Sequence, residues 1–445
     1  MMKCSPLVFV GIAPHPPIMV PEVGGARVAE VRASLDAMRD LTERIKDCGA
    51  ETVVLVSPHA PLESGSFVAY GGARLRGDFA NFDAPQAIAE ASADQELLRA
   101  IQHTAAEEGF RVVALEPREL DHGTAVPLYF LLRHGWAGRV VALGYSFLSD
   151  EAHLRFGDCV RRAVELTGRP AAFIASGDLS HRLKPGAPAG FDPEARLFDE
   201  QVVAALRANE PEQVPRIDRG LRRRAGECGY RSMLVALGAA SAFEPGCEVF
   251  SYEAPFGVGY LVAQLSSPNE SLITELARSA VEAYILSGHV IDPPAFPATS
   301  QLGRPSACFV CIKTFGRELR GCIGTVEPEH DTLAEEVISN AVKAATRDPR
   351  FRPVSGEELP SLRYSVDVLG SPEPARFEDL NPAAFGVVVT DHSGSRRGLL
   401  LPDIDSIWTA DQQVAIAARK AGIKPVEPLT LYRFRTRRFA EAART

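Results

Sequence analysis

Two layered domains are predicted from this sequence, an α/β domain over residues 1–265 and an α+β domain over residues 271–445. Three observations lead there. Up to about Leu265, short apolar runs alternate with amphipathic helical segments, the pattern of a mixed, partly parallel sheet with flanking helices. At 266–271 the segment SSPNES is polar and carries a proline, which marks a domain boundary. Beyond it the apolar runs come in hairpin-like pairs with fewer helices. The 445 residues also exceed what one core ordinarily organises.

In the first domain the strand candidates are LVFVGIA, TVVLVS, RVVALE, RVVALGY, AAFIAS, CEVFSYE and GVGYLVAQL. Between the first two, Val28, Val31, Leu35, Met38, Leu41 and Ile45 recur at three-to-four spacing, and Gly49 stops the helix they imply. Further helices are expected at 93–108, 124–134, 150–168, 193–208 and 229–242. In the second domain Leu272, Leu276, Ala280, Ala283 and Leu286 share one helical side, ended by Gly288. A proline-rich loop follows. Then come the hairpin-like runs ACFVCIKTF and LRGCIGTV, a helix at 331–347, and the runs SLRYSVDVL, GVVV and GLLL. LTLYRFRTRRF reads as one final strand, on which Arg433, Arg435 and Arg437 share a face with Arg438 beside them. A solvated edge strand accounts for that charge.

The composition, 46% apolar and 24% charged, is that of a soluble globular protein. A net charge of −9 argues against a nucleic-acid surface, which leans on excess Lys and Arg. Eight cysteines (Cys4, Cys48, Cys159, Cys228, Cys247, Cys308, Cys311 and Cys322) are too sparse for a disulfide framework and point to a reducing compartment. The start lacks the long apolar stretch of a secretory signal, and no run reaches the ~20 apolar residues of a membrane span. A cytoplasmic protein is expected.

Chemistry gathers at strand ends. VFVGIAPHPP and VVLVSPHAP each run from an apolar strand into Pro-His-x-Pro, carrying His15 and His59. Open α/β sheets place ligand sites in that crevice, just past the carboxyl ends of strands. AAFIASGDLSH ends with His181, EVFSYEAPFG with Glu253, and His122 in LDHGTAVPL precedes a helix start. Two imidazoles and one carboxylate suit iron(II) and leave coordination positions open. Zinc accepts the same ligands, so a hydrolase stays open. No glycine-rich phosphate loop is seen, and no nucleotide cofactor is expected.

At these motifs the first domain resembles the class III extradiol ring-cleavage dioxygenases of LigB type, to which the MEMO proteins are related in fold. GIAPHPPIMVPEVG, VSPHAPL, GDFANFDAP, LDHGTAVPL, SGDLSH and SYEAPFGVGY come in the family's order. The resemblance implies His15, His59 and Glu253 as iron(II) ligands and His181 and His122 as the acid–base pair. It further implies a catechol-like diol and dioxygen as substrates. Some MEMO-like relatives carry a cysteine among their metal-site residues; the presence of Glu253 here favours the dioxygenase side. The competing readings are a metal-dependent hydrolase and a non-catalytic metal-binding scaffold. A scaffold has no need of acid–base groups, and both His122 and His181 are present.

The second domain resembles the AMMECR-type domain through LRGCIGTVEP, NAVKAATRDPRF and YSVDVL. The fusion of both types is similar to the AmmeMemoRadiSam system, which implies a radical S-adenosylmethionine partner protein. Cys308-x-x-Cys311 sits in a strand pattern, where residues three apart face opposite sides. Structural cysteines are therefore expected there rather than a metal site. Cys322, between Gly321 and Ile323 in LRGCIG, is the candidate for a reactive thiol. Substrate identity and oligomeric state stay open.

Overall fold

The computed structural model describes residues 5–316, 318–404, 407–424 and 428–441; Cys4 lies outside them. The chain divides into two compact units, the first ending at Asn269 and the second starting at Glu270. Among the described residues no helix is long and apolar enough to cross a membrane.

Among the described residues the first unit is built on ten strands: β1 (Leu7–Ala13), β2 (Thr52–Ser57), β3 (Phe67–Ala69), β4 (Arg74–Phe79), β5 (Ala84–Ser92), β6 (Val112–Ala114), β7 (Arg139–Gly144), β8 (Ala171–Ser176), β9 (Glu248–Glu253) and β10 (Tyr260–Ser266). Eight of them form one sheet in the order β6-β3-β7-β2-β8-β1-β10-β9, with β4 and β5 paired separately. The central four, β7-β2-β8-β1, are parallel, and β3 and β10 attach antiparallel on either side. The strands β3, β4 and β5 were not anticipated from the sequence. Their segments are short or alternate with charge, as in Arg74–Phe79, so no apolar run announces them.

Strand β2 shows why the centre is parallel. All six residues of TVVLVS are buried, Val54 and Val56 in one core and Val53 and Leu55 in the other. A strand covered on both faces needs crossover helices on each side. Helices Gln95–Glu107, Asp150–Thr167, Ala195–Arg207 and Tyr230–Ala240 contribute to the first core, and Arg32–Asp47 and His122–Arg133 to the second. The helix expected from Val28 starts at Arg32; Gly25–Val31 is a tighter 3₁₀ turn.

Register then levels the strand ends. Ala13 pairs with Ser176, and Val56 with Ala175. Each of β1, β2 and β8 therefore stops at the same height, and two residues later its chain presents His15, His59 or Asp178.

The second unit holds β11 (Cys308–Thr314), β12 (Leu319–Gly324), β13 (Leu362–Leu369), β14 (Glu373–Pro374), β15 (Gly386–Asp391), β16 (Arg397–Leu400), β17 (Leu429–Phe434) and β18 (Thr436–Ala440). They form two antiparallel sheets, β12-β11-β13-β18 and β14-β17-β15-β16. Helices Ser271–Ser287 and Leu333–Thr346 share a core with the first sheet, and Ala410–Lys420 with the second. The last run is thus not one strand: it breaks at Arg435 and serves both sheets. Arg433 and Arg435 lie over the Phe385 ring, Arg437 over Phe439, and Arg438 pairs with Asp367, which accounts for the basic run locally.

One buried carboxylate ties the starts of two central strands, β2 and β7, to the helix that follows β5. Asp94 caps helix Gln95–Glu107 through the Leu97 N–H, accepts the Thr52 hydroxyl at 2.6 Å, and lies 3.7 Å from Arg139 and Arg169. Burial raises its pKa, but those donors and arginines outweigh it and hold the carboxyl below its ordinary value. A depressed folded pKa gives stability that is present above the unfolded value and is lost as pH falls through the folded one. Asp94→Asn should therefore cost about 1–2 kcal/mol at pH 7. The cost should shrink as pH falls below the ordinary carboxylate range; a difference in urea midpoint that stays constant between the two conditions would contradict this.

Candidate metal centre

The level strand ends bring His15 and His59 together across β8. Their Nε2 atoms are 3.1 Å apart. His15 is buried, whereas His59 is exposed and leaves one side of the cluster open. The third group is a thiol: Cys228 Sγ lies 3.6 Å from His15 Nε2, and all three ligand atoms fall within 4.8 Å of one another. Cys228 ends the segment GEC directly before helix Tyr230–Ala240, which Gly229 caps. Its approach depends on backbone meeting backbone, because a Cβ on Gly177 would come within 2.1 Å of Gly229 Cα. Only glycine permits that closeness.

Neighbouring groups fix the imidazoles. The Ser176 hydroxyl donates to the Gly123 carbonyl, so its oxygen is left to accept from His15 Nδ1 at 2.9 Å. His15 therefore carries its proton on Nδ1 and turns a bare Nε2 lone pair into the cluster. Asp121 plays a similar part on the other side. It caps helix His122–Arg133 through the Thr124 N–H and accepts from Tyr70 and from Ser57, whose oxygen in turn accepts the His59 N–H. His122, the first residue of that helix, stacks on His59 with ring centroids 4.3 Å apart, and Phe82 stands edge-on to it.

A second triad overlaps the first. Asp178, His181 and Cys228 also have ligand atoms within 4.8 Å of one another. Asp178 Oδ1 accepts the His15 N–H, and Oδ2 lies 3.8 Å from His15 Nε2. His181 Nδ1 is buried without a hydrogen-bond partner.

Burial dominates the electrostatics. It pushes the pKa values of His15, His59, His122 and His181 down, and for His15 the other three imidazoles push further the same way. It drives the Cys228 thiol well up and Asp178 up to about 7. Neutral imidazoles are the form that ligates a metal. The spacing fits one as well: two nitrogens and a sulfur on a tetrahedral zinc-like ion lie roughly 3.3 Å (N to N) and 3.6 Å (N to S) apart, from ordinary bond lengths.

Glu253, expected as the third ligand, is not in this cluster. It ends β9, two strands from β1 and four from β2 in the sheet, and neighbouring strands are ~4.8 Å apart. Its Oε1 instead accepts the N–H (2.7 Å) and the hydroxyl (2.6 Å) of Ser34, in the first turn of helix Arg32–Asp47. No capping side chain comes from Val31, the residue before that helix, so Glu253 supplies the anion from afar. Along the sequence Cys228 is one of eight scattered cysteines and carries no ligand expectation. Its signal was a cysteine beside glycine at a helix start, the setting in which thiols become ligands.

The family model described as the catalytic LigB subunit of aromatic ring-opening dioxygenase matches residues 10–263, and the AMMECR1 model matches 274–439. A protein of Clostridium acetobutylicum is 35% identical over 466 residues, covering 97% of this chain and 98% of its own length. A Thermotoga maritima protein is 42% identical over 37% of this chain and 94% of its own length. A solved structure of an uncharacterized protein from Pyrococcus horikoshii is 32% identical, covers 38% of this chain and 90% of its own, and has a TM-score of 0.35.

The reassignment is testable by metal content and unfolding together. Cys228→Ser should lower metal affinity by about tenfold or more. Glu253→Gln should leave metal stoichiometry unchanged and lower stability by about 1–2 kcal/mol. Metal loss in the Glu253 variant at unchanged stability would reverse the two roles.

Proposed function

The chain belongs to the LigB family of aromatic ring-opening dioxygenase subunits, joined to an AMMECR1 domain, and from that premise we propose that its first unit is a metal-dependent oxygenase acting on a small aromatic diol. The observation that carries the reading is the convergence of His15 Nε2, His59 Nε2 and Cys228 Sγ beside two further imidazoles. His15, His59 and Cys228 would hold the ion, with iron(II) the first candidate. A ferrous ion bound there would supply Lewis-acid and redox chemistry.

The chain's own residues would do the rest. His122 and Phe82, set edge to face, offer aromatic surface against which a substrate ring can pack. His181, kept neutral by burial and with Nδ1 unpartnered, takes the proton of a diol hydroxyl. Asp178 stands beside it as a second proton acceptor. His122, across the cluster, would offer a ring N–H to developing negative charge on oxygen. Nothing in this scheme requires the AMMECR1 domain, whose part we place in a pathway shared with a radical S-adenosylmethionine protein. A cytoplasmic setting is consistent with that assignment.

A second reading rests on the thiol. Sulfur replaces the carboxylate of the usual two-histidine, one-carboxylate set, and softer donors favour zinc or copper(I). On that reading the centre is a hydrolytic or storage site that consumes no oxygen.

The separating experiment loads the full chain with iron(II) anaerobically and follows oxygen uptake over a panel of catechols. Uptake with ring-opened product supports the oxygenase. Ester or amide hydrolysis with zinc, or tight metal binding without either activity, supports the second reading. Within the first, His15→Ala should lose iron, whereas His181→Ala should keep it and lose turnover by about 10²–10⁴-fold. Equal iron loss in both variants would contradict the separate roles.

A further inference from the structure

The LRGCIG motif is left unused by the chemistry above. In the second unit β11 places Cys311 directly opposite Cys322 of β12, and the two are joined by a disulfide. Cys48, Cys159, Cys228, Cys247 and Cys308 remain thiols. Burial alternates along β11. Cys308, Val310 and Ile312 face the core, while Phe309 and Cys311 are half-buried on the other side. Cys322 is likewise half-buried, on a strand at the edge of its sheet. Both cysteines thus sit, half-buried, on the face of the sheet away from that core.

The backbone around this pair is held without help from the bond. The Cys322 N–H donates to Asp348 Oδ2 at 2.8 Å, and Arg350 donates to the Cys322 carbonyl and to both Asp348 oxygens. Gly321 lies flat against helix Leu333–Thr346, where a Cβ would meet the Ala344 carbonyl at 2.3 Å. Strand pairing fixes the register on the other side.

A bond closing only 11 residues restricts the unfolded chain less than one that spans a long loop, and the folded frame here is already held by other contacts. Breaking it leaves two thiols facing each other on a fixed frame, with Cα atoms 4.2 Å apart, ready to close again. Sparse cysteines also suit a reducing compartment, where lasting structural disulfides are rare.

We infer that Cys311 and Cys322 form a reversible thiol–disulfide couple that exchanges with a dithiol reductant at this sheet edge. A thiolate of the reductant attacks Cys322 Sγ, the sulfur–sulfur bond breaks, and Cys311 leaves as a thiolate that takes up a proton. The reductant's second thiolate then attacks its own sulfur in the mixed disulfide, releasing Cys322, which is protonated in turn. The chain gains two electrons and two protons, and the reductant becomes a disulfide.

The test equilibrates the full chain, undenatured, in glutathione buffers from fully oxidised to fully reduced, followed by acid quench, alkylation and mass spectrometry. Cys311 and Cys322 should convert together and reversibly, with the slope of a two-electron couple, while Cys308 is recovered as a thiol at every buffer ratio. A bond that survives fully reduced buffer, or a pair that never closes in oxidised buffer, would overturn the inference.

Discussion

The centre of the first unit depends on one constraint, the common height at which β1, β2 and β8 end. Parallel pairing sets that height through the matches Ala13 to Ser176 and Val56 to Ala175. A shift of one residue in either pairing would turn the following histidine to the opposite side. The buried aliphatic runs oppose such a shift, since each side chain already fills one of two cores. The site is in this sense a by-product of sheet packing. Apolar burial supplies the free energy, and the polar groups inherit the geometry.

Around that frame the polar residues work in relays rather than alone. Ser176 sets the tautomer of His15 by spending its own proton on Gly123. Asp121 binds Ser57, Tyr70 and the helix that carries His122, so two of the four clustered imidazoles answer to one carboxylate. Supporting hydrogen bonds of this kind keep ligands in place when no ion is bound and raise their basicity when one is. Cys228 is held differently, by the contact of Gly177 with Gly229, where the absence of side chains is the functional feature.

Glu253 shows how an acidic residue at a strand end can belong to folding instead of chemistry. Its carboxylate satisfies an N–H and a hydroxyl in the first turn of a helix that lacks a local cap. A helix start and a metal ion both attract an anion. Sequence position alone does not separate the two. The difference lies in the order of the strands, which puts β10 between β1 and β9.

Much was legible in the chain by itself. Unbroken apolar runs identified the central strands because a strand buried on both faces tolerates little else, and the repeated Pro-His-x-Pro marked His15 and His59 because it recurs where such strands end. The short strands β3 to β5, the break at Arg435 and the partnering of Cys311 with Cys322 were not legible, since each is set by what lies across a sheet rather than along the chain. Cys228 belongs with these. It stands 213 residues from His15 in sequence and 3.6 Å from it in space. Local pattern fixes which residues are buried and which elements form; strand order and backbone contact fix which distant side chains meet, and a metal centre is made of those meetings.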